Sequence, residues 1–239
     1  MSEEIRNMGA DDKMLLIRNF NLWRHVSDEE YENLKICHRF IEAKKGDYIY
    51  FEAFQHKKIY FIKDGYIRIG YIDESGNEVI REILSKGELF GQFTLEKDNM
   101  NGEFARAYKA DVSLCAFDIE EFRKLLESRP DIAIRYSGRV AHKLKHSQDR
   151  LISLLSRDVK SRLLHFFWQL LQEENAAKAG SLSIPNYFTQ EDIAHLIGAS
   201  RQTVSSLITE LGEENLVVVS RQQIQFPDVK KIQNLLNVA

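Results

Sequence analysis

The 239-residue chain has few of the residues that staple, kink or anchor a protein: 2 cysteines (Cys37 and Cys115), 3 prolines and 12 glycines. Two thiols cannot build a disulfide framework, a four-thiolate iron–sulfur site or a structural zinc site from thiols alone, so a reducing compartment is expected, with a single disulfide left open. No run approaches the ~18 uninterrupted apolar residues of a membrane span. The opening stretch 1–13 is acidic and polar, where a secretory leader needs a basic end and an apolar centre. A soluble, cytoplasmic protein without a membrane partner is the expectation. Also missing are a nucleophile elbow, a phosphate loop and a metal-spaced His pair, so neither an enzyme nor a metal site is expected. Haem stays open through His25, His38 and Cys37, although no ligand spacing distinguishes them.

What is present suffices for real cores: 44% apolar residues in a length that suits one large or two small domains. The formal net charge of -3 is unevenly spread. Residues 1–128 carry 19 basic and 25 acidic side chains, residues 129–157 carry 7 and 2, and residues 158–239 carry 7 and 9. The middle of the chain is therefore basic.

Three segments follow from periodicity. In 1–128, Met14 to Leu34 reads as helical, and from Glu42 to Phe117 short strands of period two alternate with turn signals. The strands include Tyr48 to Phe51, Ile59 to Ile62 and Tyr66 to Ile72; the turns include Lys63-Asp64-Gly65 and Lys86-Gly87-Glu88. Several short strands at near-regular spacing predict a β-sandwich or β-roll. In 129–157, Pro130 permits a helix start, and Ala133, Ser137, Val140, Leu144, Ser147, Leu151 and Leu154 recur at alternating steps of four and three. That seam predicts a parallel pairing with the same helix of a second copy; the alternative is that it packs on its own β domain. In 158–239 the reading is a helix from Val159 to Glu174, a polar linker from Asn175 to Ser183, two short helices, and strands Leu216 to Ser220 and Gln223 to Phe226. The whole is an α+β chain.

The stretch from Thr189 to Leu211 carries the most chemistry. Thr189 with Asp192 three positions on can form a capping box, with Ile193, Leu196 and Ile197 inward. Gly198 allows the positive φ that ends the helix, and Ser200 can cap the next, which buries Val204, Leu207, Ile208 and Leu211. Two helices joined by a three-residue turn form a helix-turn-helix, whose second member presents Arg201, Gln202, Ser205, Ser206 and Thr209. Arg201 can donate two hydrogen bonds to a guanine, Gln202 can read an adenine or bond a phosphate, and the hydroxyls can bond base edges or backbone. The amides after Thr189 and Ser200, with Gln190 and Thr203, face phosphate at the helix starts. The hairpin that follows reads as a wing with Arg221 at its tip. Because cations are few, a shallow dependence of DNA affinity on salt is expected.

This order of β-roll, long helix and winged helix-turn-helix resembles the CRP/FNR superfamily of bacterial transcription regulators. The resemblance runs from about Leu22 to Leu236 and rests on Thr189 to Leu216, Lys86-Gly87-Glu88-Leu89-Phe90-Gly91 and Phe104-Ala105-Arg106-Ala107. It implies a cyclic-nucleotide-binding-like domain in 1–128 (a double-stranded β-roll), a dimerisation helix in 129–157 and a winged helix-turn-helix in 158–239. It implies a homodimer bound to a pseudo-palindromic double-stranded DNA site, with RNA polymerase as a partner. Family members that bind cyclic nucleotides use a Gly-Glu-Leu turn and an Arg-Ser pair. The matching positions here are Gly91-Gln92-Phe93 and Asn101-Gly102, with Ser147 and Gln148 where the family reaches the base. A carboxylate and a cation are thus replaced, and losing such a charge-assisted contact typically costs ~2 kcal/mol or more. The effector is expected to be something other than ordinary cyclic AMP, or absent. No cysteine precedes Cys37, so the iron–sulfur cluster of one family branch is not expected. On the DNA face Arg201 matches the family, while Gln202 and Ser206 depart from it, so a different sequence preference is expected. The competing reading is a ligand-binding signalling module that acts through protein contacts, with a degenerate DNA domain.

Overall fold

A computed structural model describes residues 38–51, 58–91, 103–173 and 182–237. The expected helix between Met14 and Leu34 lies outside the described residues, as do His25 and Cys37. The chain divides into two compact units at Leu144/Lys145.

In the first unit two long antiparallel strands form the frame, β3 (Lys58–Ile72) and β6 (Glu103–Asp118). They pair from Lys58↔Asp118 to Tyr71↔Glu103. One end of β6 takes β1 (His38–Ala43) and the other takes β2 (Tyr48–Phe51). The first half of β3 pairs with β5 (Leu89–Gly91), and its second half with β4 (Glu78–Leu84). The turn expected at Lys63-Asp64-Gly65 is instead a bulge inside one continuous strand, with register shifts on either side of Asp64. Gly65 there has φ +85°, and a Cβ would fall 2.7 Å from both the Asp111 carbonyl and a Val112 methyl. The Gly that signalled a chain reversal lets β3 bend against β6 without leaving the sheet.

The sequence of β3 explains its layering. Tyr60, Ile62, Ile67 and Ile69 point into the roll with Tyr50, Phe90, Ala105, Ala107 and Leu114. Ile59 and Phe61 point the other way, beneath Phe122, Leu125 and Leu126 of α1 (Ile119–Ser128) and Ile132 and Tyr136 of α2 (Pro130–Ser156). Covered on both faces, this half of β3 reads as a continuous apolar run.

The second unit holds the C-terminal part of α2, then α3 (Val159–Glu173), α4 (Gln190–Ile197), α5 (Arg201–Glu213) and α6 (Val229–Asn237). A three-stranded sheet runs β7 (Leu182–Pro185), β9 (Gln223–Phe226), β8 (Val218–Val219). β7 and α6 are additions to the expected elements. β7 starts inside the supposed linker, and Leu182 and Ile184 are too few alternations to mark a strand before their partners Phe226 and Ile224 are known. α6 buries Val229 and Ile232.

The long helix departs from its predicted seam at two positions. Ala133 and Val140 pack against the core of their own β domain, as in the alternative reading. The side left outward keeps Leu144 and Leu151 of the expected seam, exposed by 58 and 56%, and adds Ile134 and Leu155, exposed by 71 and 79%. Ser137 and Ser147 are exposed, and Leu154 is 37% exposed.

Candidate nucleic-acid interface

The helix-turn-helix is set by its caps. Thr189 accepts from the Asp192 amide at 3.1 Å, and its own amide and hydroxyl both donate to Asp192 Oδ2 at 2.7 Å. Asp192 is buried, so this carboxylate fixes the first turn of α4 from within. Gly198 ends α4 at φ +65°. Ser200 then caps α5, accepting from the Thr203 amide at 3.1 Å. Val204, Ile208 and Leu211 turn inward and are buried, with Leu207 partly so.

These caps also sort the expected DNA contacts. The Thr189 hydroxyl is committed to Asp192. The Ser200 and Thr203 hydroxyls lie 2.9 Å apart in a mutual hydrogen bond, and Thr209 donates to the Ser205 carbonyl at 3.1 Å. Arg201, Gln202 and Ser206 are exposed on the outward side of α5, while Ser205 is half-buried and Gln190 lies at the start of α4. A guanidinium and an amide at the N-terminal end of a recognition helix are the groups that read base edges bidentately.

Arg221 sits exposed at the wing tip. That tip is closed by Ser220, whose amide donates to the Gln223 carbonyl at 2.9 Å and whose Oγ accepts from the Gln223 amide at 3.1 Å. Asn186 holds it from beside β7: its side-chain amide donates to the Ser220 carbonyl at 2.6 Å and its backbone amide to the Gln222 carbonyl at 2.8 Å. Sequence reading passed over Asn186, whose only cue was an Asn following Pro185.

Other cations of this unit serve the fold. Lys160 bridges Glu210 and Glu214 at 2.8 and 2.7 Å, and Lys231 donates to the Glu214 carbonyl at 2.8 Å. Arg162 donates to the carbonyls of Arg157 and Gly198 at 3.0 and 3.1 Å. The basic middle of the chain is spent similarly: Arg129 pairs with Asp131, Lys143 with Glu82 at 2.6 Å, and Arg150 donates to the His195 carbonyl at 3.1 Å.

The expected effector positions Gln92, Phe93, Asn101 and Gly102 lie outside the described residues. Gly91 closes β5 at φ +99°, where a Cβ would fall 2.5 Å from the Lys58 carbonyl and 2.9 Å from the Tyr60 ring. Ser147 and Gln148 are exposed on α2, in the second unit, and Gly91 belongs to the first. Sequence reading missed a polar network in the β domain. Glu103, buried in the strand, pairs with Arg81 and accepts from the Tyr50 hydroxyl. Burial and the Glu103 carboxylate together push the Tyr50 hydroxyl well above its ordinary pKa. Beside it, burial favours protonation of Glu82, yet Lys143 and Arg81 outweigh it and hold the carboxyl below the usual range. Glu88 moves the opposite way, raised by burial despite a 2.6 Å hydrogen bond from the Ser85 amide. The available signal was phase: Glu103 shares a strand face with the interior Ala105 and Ala107.

Among the described residues, no group of acidic, His and Cys side chains is arranged to hold a metal ion. No helix among them is long and apolar enough to cross a membrane.

Residues 40–129 match the cyclic nucleotide-binding domain family, and residues 161–235 match the Crp-like helix-turn-helix domain family. The chain is 23% identical to a CRP-like cAMP-activated global transcriptional regulator of Mycobacterium tuberculosis over 192 residues, which make up 80% of this chain and 85% of that one. It is 25% identical to a global nitrogen regulator of Synechococcus elongatus over 184 residues, covering 77% and 83%. The solved structure of a CooA mutant from Carboxydothermus hydrogenoformans superposes with a TM-score of 0.74 at 21% identity, covering 91% of this chain and 95% of that one.

Proposed function

The chain belongs to the CRP/FNR superfamily of transcription regulators, and from that premise we propose that it acts as a homodimer. Its two copies of α5 read a two-fold-related DNA site. The observation that carries this reading is the pairing of an exposed Arg201 and Gln202 on a doubly capped helix-turn-helix with an outward apolar stripe on α2. Bare leucines and isoleucines at heptad spacing stabilise a helix pair by removing that surface from water. A two-fold pair presents two recognition helices about 34 Å apart, one helical turn of DNA. RNA polymerase is the partner that such a regulator addresses on DNA.

For the effector, the reading is that cyclic AMP is not the ligand. The sequence supports it: Asn101-Gly102 stand where a cyclic-phosphate site would need a cation, and Glu103 directly after them is paired with Arg81. The domain either answers to a ligand of different chemistry or supports the dimer alone.

The test is enrichment of genomic fragments by the purified chain and by Arg201→Ala, with sedimentation to read the assembly state. A dimer that enriches paired half-sites, with Arg201→Ala weaker by roughly 5- to 150-fold, supports the proposal. A monomer, or fragments without a shared sequence, refutes it.

A further inference from the structure

Two guanidinium groups from different helices converge on the end of α4. Arg150, on α2, donates to the carbonyl of His195 at 3.1 Å. Arg162, on α3, donates through one nitrogen to the carbonyl of Gly198 at 3.1 Å and through the other to that of Arg157 at 3.0 Å. His195 and Gly198 belong to the last turn and cap of α4, where carbonyls are left over by the helix ladder and the helix dipole favours positive charge. Arg157 closes the last turn of α2, its amide bonded to the Ser153 carbonyl at 3.1 Å. Leu154 lies over Gly198, 2.7 Å from where a Cβ would stand. The Nε of Arg162 is buried without a hydrogen-bond acceptor among the described residues. That cost is unusual for a cation whose service is only to cap a helix at the surface.

We propose that Arg150 and Arg162 are positioning residues for DNA recognition: a two-helix clamp that holds the turn of the helix-turn-helix against the end of α2 and the α2–α3 corner, and so fixes the angle at which α5 leaves α2. Neither side chain belongs to the outward face of α5. Each acts through α4, whose cap leads in three residues to Arg201. The planar fork of Arg162 reaches two carbonyls at once, on two segments, which a lysine ammonium on a flexible stem cannot hold in one geometry. The proposal rests on the dimer reading above, because in a dimer the α2-to-α5 angle becomes the distance between half-sites.

The experiment uses the full chain and duplex DNA. The wild type first selects paired half-sites from a random library, and its preferred site is then resynthesised with one base pair inserted or removed between the halves. Binding is measured for the wild type, Arg150→Lys, Arg162→Lys and the double variant, with half-site base preference and thermal unfolding read alongside. Lysine keeps the charge, and thermal unfolding reports whether each variant keeps the fold. The expected result is that the wild type loses at least 30-fold on the wrong spacings, while the double variant loses less than 5-fold. Its half-site preference should be unchanged, and its affinity for the right spacing about 10-fold lower. Spacing discrimination within twofold of wild type in the double variant overturns the clamp. Loss of half-site preference in step with thermal stability also overturns it, since the arginines would then be structural. Failure of the wild type itself to select paired sites overturns the dimer reading first, and the clamp with it.

Discussion

Replacing Gly198 by alanine separates two physical costs that the structure places on one residue. The backbone at Gly198 has φ +65°, and a Cβ there would fall 2.7 Å from Leu154 Cδ2. A non-glycine residue in the left-handed region costs roughly 1–2 kcal/mol. The overlap adds a packing cost of about 1 kcal/mol, at the low end of the overpacking range, because Leu154 is 37% exposed and can turn aside. Together they lower the stability of the second unit by about 2–3 kcal/mol, roughly 30- to 150-fold in its folding constant. In a Leu154→Ala background the overlap is gone and the backbone cost stays, so the penalty falls to ~1–2 kcal/mol and the cycle shows a coupling near 1 kcal/mol. Urea unfolding followed by the fluorescence of Trp168, on α3, with Trp23 replaced by phenylalanine, reports this unit. A Gly198→Ala penalty below about 0.5 kcal/mol, or one identical in both backgrounds, would refute the reasoning.

Three further outcomes follow from other parts of the molecule. Titration calorimetry with cyclic AMP and cyclic GMP should show no binding tighter than ~0.1 mM, since the loss of a charge-assisted contact weakens an anion site; a micromolar dissociation constant contradicts it. DNA affinity should fall only gently with salt, because Lys160, Arg162 and Lys231 are engaged within the protein. A logarithmic slope of about eight or steeper would require phosphate contacts that the domain does not offer. Glu88→Gln should change how stability depends on pH. The folded state raises the carboxyl of Glu88, so its contribution favours the fold below the ordinary carboxylate range and is lost as pH rises through the raised value. Glu82, held low mainly by Lys143 against its burial, works in the opposite direction: its contribution is present above that range and is lost on acidification. The glutamine variant should therefore melt with the wild type near pH ~4 and above it near pH ~8. A variant that melts lower than wild type at the alkaline end excludes the assignment.

The helix-turn-helix was legible because every cue in it is local. A capping pair three residues apart, a glycine at a helix end and a serine after it act within one or two turns of chain, and the structure uses each as expected. The features that escaped depend on contacts distant in sequence. Nothing near Lys63-Asp64-Gly65 tells a turn from a bulge, because the difference lies in a strand distant in sequence, Tyr108 to Ser113, that keeps pairing across it. The seam of α2 was legible only in part: Leu144 and Leu151 do stay outward, but Ala133 and Val140 are apolar for the sake of Phe40 and its neighbours, and a period alone does not say which of two partners a side chain serves. Arg150 and Arg162 carried no signal in the sequence because their acceptors are backbone carbonyls, which leave no residue-type signature.

The outward apolar stripe of α2 has a consequence for the cell as well as for the helix. With Ile134, Leu144, Leu151 and Leu155 wetted in a lone chain, pairing on the dimer reading grows with the square of abundance while copies are scarce. Synthesis and turnover of the protein then become inputs to the promoter in their own right, alongside any molecule that the β-roll admits.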